Sequence, residues 1–119
     1  MKQEIFTKKS VNEFADFIIE IAESEGMEDD FITEMLAQKM TRFDAINTYK
    51  ENVMIYYTYM RFCLLEEDYE CADKFKLIVS IEFNNTIALL DKIGELMPTD
   101  EYVLSTINME LNYIMNKNL

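Results

Sequence analysis

Carboxylates and tyrosines are the residues best able to do chemistry in this sequence, because it has no histidine and only two cysteines. Between Ser10 and Glu34 lie nine acids, Glu13, Asp16, Glu20, Glu23, Glu25, Glu28, Asp29, Asp30 and Glu34, with no Lys or Arg among them. On a helix, Glu13, Asp16, Glu20 and Glu23 share one stripe that rises about 15 Å along the axis. A row of carboxylates about 5 Å apart imitates in outline the charge along one nucleic-acid strand. Such a row fits the phosphate-binding groove of a partner, and Glu28, Asp29 and Asp30 would extend it. The plainer alternative is a solvated face that keeps the protein soluble. Solvated helices ordinarily mix both signs to gain i,i+4 pairs, so the lack of positive charge favours docking.

The second candidate is the run VMIYYTYMRFCLL, Val53 to Leu65, in which only Thr58 and Arg61 are clearly polar. A helix apolar on nearly all sides is either the centre of the core or is covered by a partner. In the second case Tyr56, Tyr57, Tyr59 and Met60 have the composition of a protein-binding hot spot, and the same surface would serve a homodimer. Base stacking on these tyrosines is disfavoured by the surrounding acidic field.

Catalysis has little to work with. Without histidine there is no Ser-His or Cys-His pair, no imidazole general base and no ExxH di-iron site. Glu66, Glu67 and Glu70 form an EExxE cluster that resembles the magnesium motif of all-α nucleotide pyrophosphatases. That resemblance implies a second ExxD pair on a following helix, where this chain has Glu82 and Asn85. Acids just ahead of a helix are also what the helix dipole favours. The expectation is a non-enzymatic protein with no cofactor and no metal.

These groups must be positioned by few, long elements. Two Gly and one Pro in 119 residues leave too little turn chemistry for a many-stranded fold. Half of the residues are hydrophobic, enough for one domain with a real core. Ser10 and Glu13 make a capping box for a helix over 11–25, closed by Gly26. Asp29 or Asp30 caps a short second helix to about Met40, with Phe31, Ile32, Met35 and Leu36 facing inward. Thr41 and Asp44 open a third over 42–65, and Asp68 caps a fourth over about 69–96, in which Asn84 and Asn85 invite a bend. Gly94 and Pro98 close the fourth, and Thr99, Asp100 and Glu101 start a fifth that runs to about Asn116 with Val103, Leu104, Ile107, Leu111 and Ile114 as its apolar stripe. The predicted fold is all-α, an irregular bundle of about five helices built on the hairpin of the third and fourth.

Net charge and targeting bound the partners. A charge of -12 opposes direct binding to phosphate backbones and attracts the basic surfaces of proteins that handle nucleic acid. No run is apolar enough to span a bilayer, and MKQEIFTKKS has no signal-peptide core, so a cytoplasmic location without membrane contact is expected. Cys63 and Cys71 lack CxxC spacing and read as reduced, buried thiols.

Two short stretches carry likenesses to known families or motifs. Phe31, Ile32, Glu34, Met40, Thr41, Ala45, Glu51 and Asn52 lie in a segment that resembles the late-transcription coactivators of T4-like phages, although the hydrophobic tail of that family has no counterpart in MNKNL. That likeness implies an adaptor that binds RNA polymerase. Tyr69, Ala72, Phe75 and Lys76 match the UVR-type interaction hairpin, which departs here at Asp73 and Leu77. By size and composition the chain is also similar to acidic phage-encoded inhibitors of restriction and CRISPR nucleases. The leading expectation is therefore a regulator that docks its acidic face on the basic groove of a larger nucleic-acid-handling protein and competes with DNA or RNA.

Overall fold

The computed structural model describes residues 7–24 and 34–116. Among them are the helices α1 (Lys8–Ser24), α2 (residues 34–37), α3 (Arg42–Leu65), α4 (Tyr69–Ile93) and α5 (Asp100–Asn116), with no strand. The all-α architecture is as expected from the scarcity of turn residues.

Local signals set most of the helix ends. Thr41 Oγ1 accepts from the Asp44 N–H and the Asp44 carboxylate accepts from the Thr41 N–H, a reciprocal capping box. These two bonds hold the Asp44 carboxyl below its usual range, the Thr41 backbone donor being the larger cause. Asp68 caps α4 by accepting from the Cys71 N–H, and Gly94 ends it in the left-handed conformation, φ 82°, which costs glycine little. Helix α4 therefore stops at Ile93, earlier than the expected 96, and it runs unbroken through Asn84 and Asn85.

Helix α1 starts earlier than its sequence signal suggests. Thr7, not Ser10, is the cap: Thr7 Oγ1 accepts from the Ser10 N–H and Ser10 Oγ accepts from the Thr7 N–H. A serine three residues into the helix thus takes the part usually played by Glu, and the helix gains almost a turn. The expected C-cap Gly26 lies outside the described residues, as do Asp29, Asp30, Phe31 and Ile32. Met35 and Leu36 are exposed, not inward-facing, because the described part of α2 stays at the edge of the bundle, held to α4 by an ion pair between Glu34 and Lys92 at 3.5 Å.

The core is built on the antiparallel hairpin of α3 and α4, whose contact is the largest in the molecule. From α3, Tyr49, Val53, Tyr57, Met60 and Cys63 form one buried stripe at three- and four-residue spacing, which meets Cys71, Ala72, Phe75, Ile78 and Val79 of α4. Helix α1 lies mainly along α4 and buries Val11 and Ala15, while α5 lies mainly along α3 and buries Leu104 and Leu111. Of the remaining stripe of α5, Val103 and Ile107 are half-buried and Ile114 is exposed.

Cross-links of known direction fix the register. Arg42 at the start of α3 reaches Asp100 at the start of α5, and Tyr49 OH donates to Asn108 Oδ1 at 2.6 Å, so these helices run in parallel. Asn12 reaches Asp68 and Asp16 reaches Lys74, so α1 follows α4 in the same sense.

Candidate functional site

The acidic stripe of α1 does not stand alone. Asn12 Nδ2 donates to Asp68 Oδ2 at 2.8 Å and so ties the start of α1 to the turn between α3 and α4. That turn and the following helical turn carry Glu66, Glu67, Asp68, Glu70 and Asp73. The fold therefore brings two acidic segments, more than forty residues apart in sequence, to one end of the bundle. Glu13, Glu66, Glu67 and Glu70 are exposed there, and Glu20 is exposed about two turns further along α1. Glu67 holds a positive φ of 57°, uncommon outside glycine, and this lets the connection turn within the three residues from Glu66 to Asp68.

Positive charge absent from α1 after Lys9 is partly supplied by α4 and by the start of α1 itself. Lys74 of α4 pairs with Asp16 at 2.8 Å and donates to Asn12 Oδ1 at 3.4 Å, and the Asp16 bond raises the Lys74 ammonium above its usual range. Lys9 stands 4.0 Å from Glu13 in an exposed i,i+4 pair. Asp68, with Asn12 donating to it and the Cys71 N–H behind it, sits below the usual carboxylate range. Asp16 and Asp68 are thus structural partners inside this end, whereas Glu20, Glu66, Glu67 and Glu70 have no ion pair among the described residues.

The remaining sequence candidates fall elsewhere. Glu23 lies in the last turn of α1, and Glu28, Asp29 and Asp30 lie outside the described residues. Of the alternative tyrosine patch, Tyr57 is 9% exposed and Met60 is buried, whereas Tyr56 and Tyr59 are half-buried against the core. Tyr59 stacks on Phe75 with ring centroids 5.5 Å apart and 6° between planes, and Phe14 closes on it at 4.9 Å. The cause is α1, which lies over the face of α3 and α4 that these rings share. Tyr57 and Met60 are thus spent in the core, while Tyr56 and Tyr59 keep part of their surface.

Burial has chemical consequences for the phenols. It pushes Tyr49 and Tyr56 up to about 12, with the Glu82 carboxylate adding to the effect at Tyr56. Both are neutral hydrogen-bond donors at physiological pH, Tyr49 to Asn108 and Tyr56 to Glu82 Oε1 at 3.4 Å. Cys63 and Cys71 are free and buried, and burial raises both thiols, Cys63 well above its ordinary range. Low thiolate content makes both poor nucleophiles.

No group of three or more His, Cys, Asp or Glu side chains able to hold a metal ion occurs among the described residues. Glu66, Glu67 and Glu70 accordingly do not converge, and Glu82 is on the flank of α4 with Tyr56. No helix among the described residues is long and apolar enough to cross a membrane. The chain matches no family model, no curated protein and no solved structure.

Glu82 is a residue that sequence reasoning missed in this role. Burial raises its carboxyl, and hydrogen bonds from Asn52 and Tyr56 only partly offset this. A carboxyl whose folded value lies above its unfolded one stabilises the fold most below about pH 4.3 and loses that contribution as pH rises through the folded value. Glu82→Gln keeps an acceptor for Tyr56 and removes the charge. Its melting temperature should exceed the parent's at pH 7, and the difference should shrink toward pH 4. A constant difference across that range would assign the effect to packing instead.

Proposed function

We propose that this protein is a non-enzymatic regulator that docks its acidic end on the basic nucleic-acid-binding surface of a larger protein, of the kind found in CRISPR and restriction nucleases, and competes there with DNA or RNA. The observation that carries this reading is the convergence of the α1 stripe with the acids of the α3–α4 turn through Asn12 and Asp68. Two acidic segments at one end cover more of a phosphate-binding groove than a single helix does, and their combined field steers encounter with a cationic partner. Lys8, Lys9, Lys74 and Lys76 share these elements and offset part of the charge, so the exposed glutamates supply the contact.

Affinity capture from the native host, followed by competition with nucleic acid, tests the reading. Glu13, Glu20, Glu66 and Glu67 are the residues to neutralise together, because Asp16 and Asp68 hold the fold. Exposed pairs contribute about 0.2 to 1 kcal/mol each, so the quadruple Gln variant should bind about tenfold or more weakly at low salt. Its melting temperature should stay level or rise slightly as like-charge repulsion is relieved. Undiminished binding by that variant, or a captured partner that holds its nucleic acid and this protein at once, would overturn the proposal. An adaptor that recruits RNA polymerase, as the coactivator likeness implies, would give the second outcome.

A further inference from the structure

Helix α5 turns a second kind of surface to solvent, apolar where the first is charged. Tyr102 is 75% exposed, Met109 72% and Tyr113 69%. With Thr106 they fall at i, i+4, i+7 and i+11, one continuous stripe about 16 Å long on the side away from buried Leu104 and Leu111. The side chains of this stripe, with Glu110, line an open hollow of about 400 Å³. A hollow between rows of side chains at helical spacing is the shape that receives the ridge of another helix. Tyr and Met are also residue types enriched where proteins bind.

Charge decides what that helix carries. The stripe is flanked by Glu101 and Glu110, and no Lys or Arg lies between Asp100 and Asn116. The α5 of a second copy of this chain would bring no Lys or Arg to meet these glutamates. A cationic amphipathic helix meets the charge condition, since its apolar ridge fills the hollow while its Lys or Arg residues, whose stems lie along apolar surface, reach the acids at the rim. We infer that the outer face of α5 is a docking groove for a basic amphipathic helix of a partner protein. This inference stands on α5 alone and does not require the acidic end to be an interface.

A fluorescent synthetic helix of Leu, Lys and Ala, with leucines at i, i+3, i+4 and i+7, is the probe, and the same peptide with Ser for every Leu is the control of equal charge. Anisotropy titration of the full chain near physiological salt should show the Leu peptide binding about tenfold or more tightly than the control. Chemical-shift mapping of the unaltered protein should centre on residues 102–113. Tyr102→Ser combined with Met109→Ser should weaken the Leu peptide about tenfold, while the Glu13, Glu20, Glu66 and Glu67 variant should change it by less than about threefold. Equal binding of the two peptides, shifts centred on α1 and the α3–α4 turn, or a dimer by sedimentation that Tyr102→Ser dissolves would each overturn the assignment.

Discussion

Phe75→Ala is expected to destabilise the protein by about 4 kcal/mol, measured by denaturant unfolding. Phe75 is 0% exposed and sits where three helices meet: its ring stacks on Tyr59 of α3 and lies 6.2 Å from Phe14 of α1. Truncation removes the transfer free energy of the ring and leaves a cavity that three long helices cannot easily collapse. It also takes away the surface on which α1 rests. Since a domain of this size has about 5 to 15 kcal/mol in total, the variant will sit close to the edge of folding. Phe75→Leu, which retains most of the volume, should lose about 1 to 2 kcal/mol and remain folded. A loss below about 1 kcal/mol for the alanine variant would place Phe75 outside the core.

Asp100→Ala should cost about 3 kcal/mol, although it removes only a short side chain at a helix start. Asp100 is 0% exposed, and it accepts from Arg42 Nη2 on one oxygen and from the Met97 N–H at 2.7 Å on the other. Without it, the guanidinium loses its acceptor and the turn through Pro98 loses its clasp. Arg42 Nε is already buried with no hydrogen-bond partner among the described residues, so the guanidinium has little to fall back on. Burial by itself would raise the Asp100 carboxyl, but Arg42 and the Met97 donor outweigh it and the net position is below the ordinary value. A carboxyl lowered in the fold stabilises above its unfolded value of about 3.9, and the contribution is lost as pH falls through the lower folded value. The gap in stability between parent and Asp100→Ala should therefore be full at pH 7 and narrow below about pH 4. A gap that persists unchanged into acid would show that the pair is not ionic.

Much of the fold was legible because its signals are local. The Thr41 and Asp44 box, the Asp68 cap and Gly94 each act within four residues, a range over which side chain and backbone meet whatever the rest of the chain does. Where two such signals competed, as Thr7 and Ser10 do at the start of α1, the type of element was right and the boundary was not, because the Ser10 hydroxyl accepts from the Thr7 N–H and donates to the Thr7 carbonyl. The candidate site was less legible. The α1 stripe could be read from helical spacing, but Asp68 and Lys74 reach it from 56 and 58 residues away, and nothing in the primary sequence announces that approach.

What the sequence determined by itself is the class of molecule: helical, acidic, without histidine chemistry, and with a long apolar α3. Composition and short-range spacing suffice for those properties. Only the tertiary structure decided which faces are spent in the core and which remain free. Tyr56, Tyr57 and Tyr59 have the composition of an interface, yet Tyr57 is buried in the core stripe of α3, Tyr59 packs on Phe14 of α1 and Phe75 of α4, and Tyr56 reaches Glu82 of α4, while Tyr102, Met109 and Tyr113 of α5 have no helix beyond them among the described residues. The physical reason is that an aromatic residue gains nearly the same free energy from any apolar neighbour, so its type does not say which neighbour it will have. That choice is made by how the helices stack, and with it the division between core and surface.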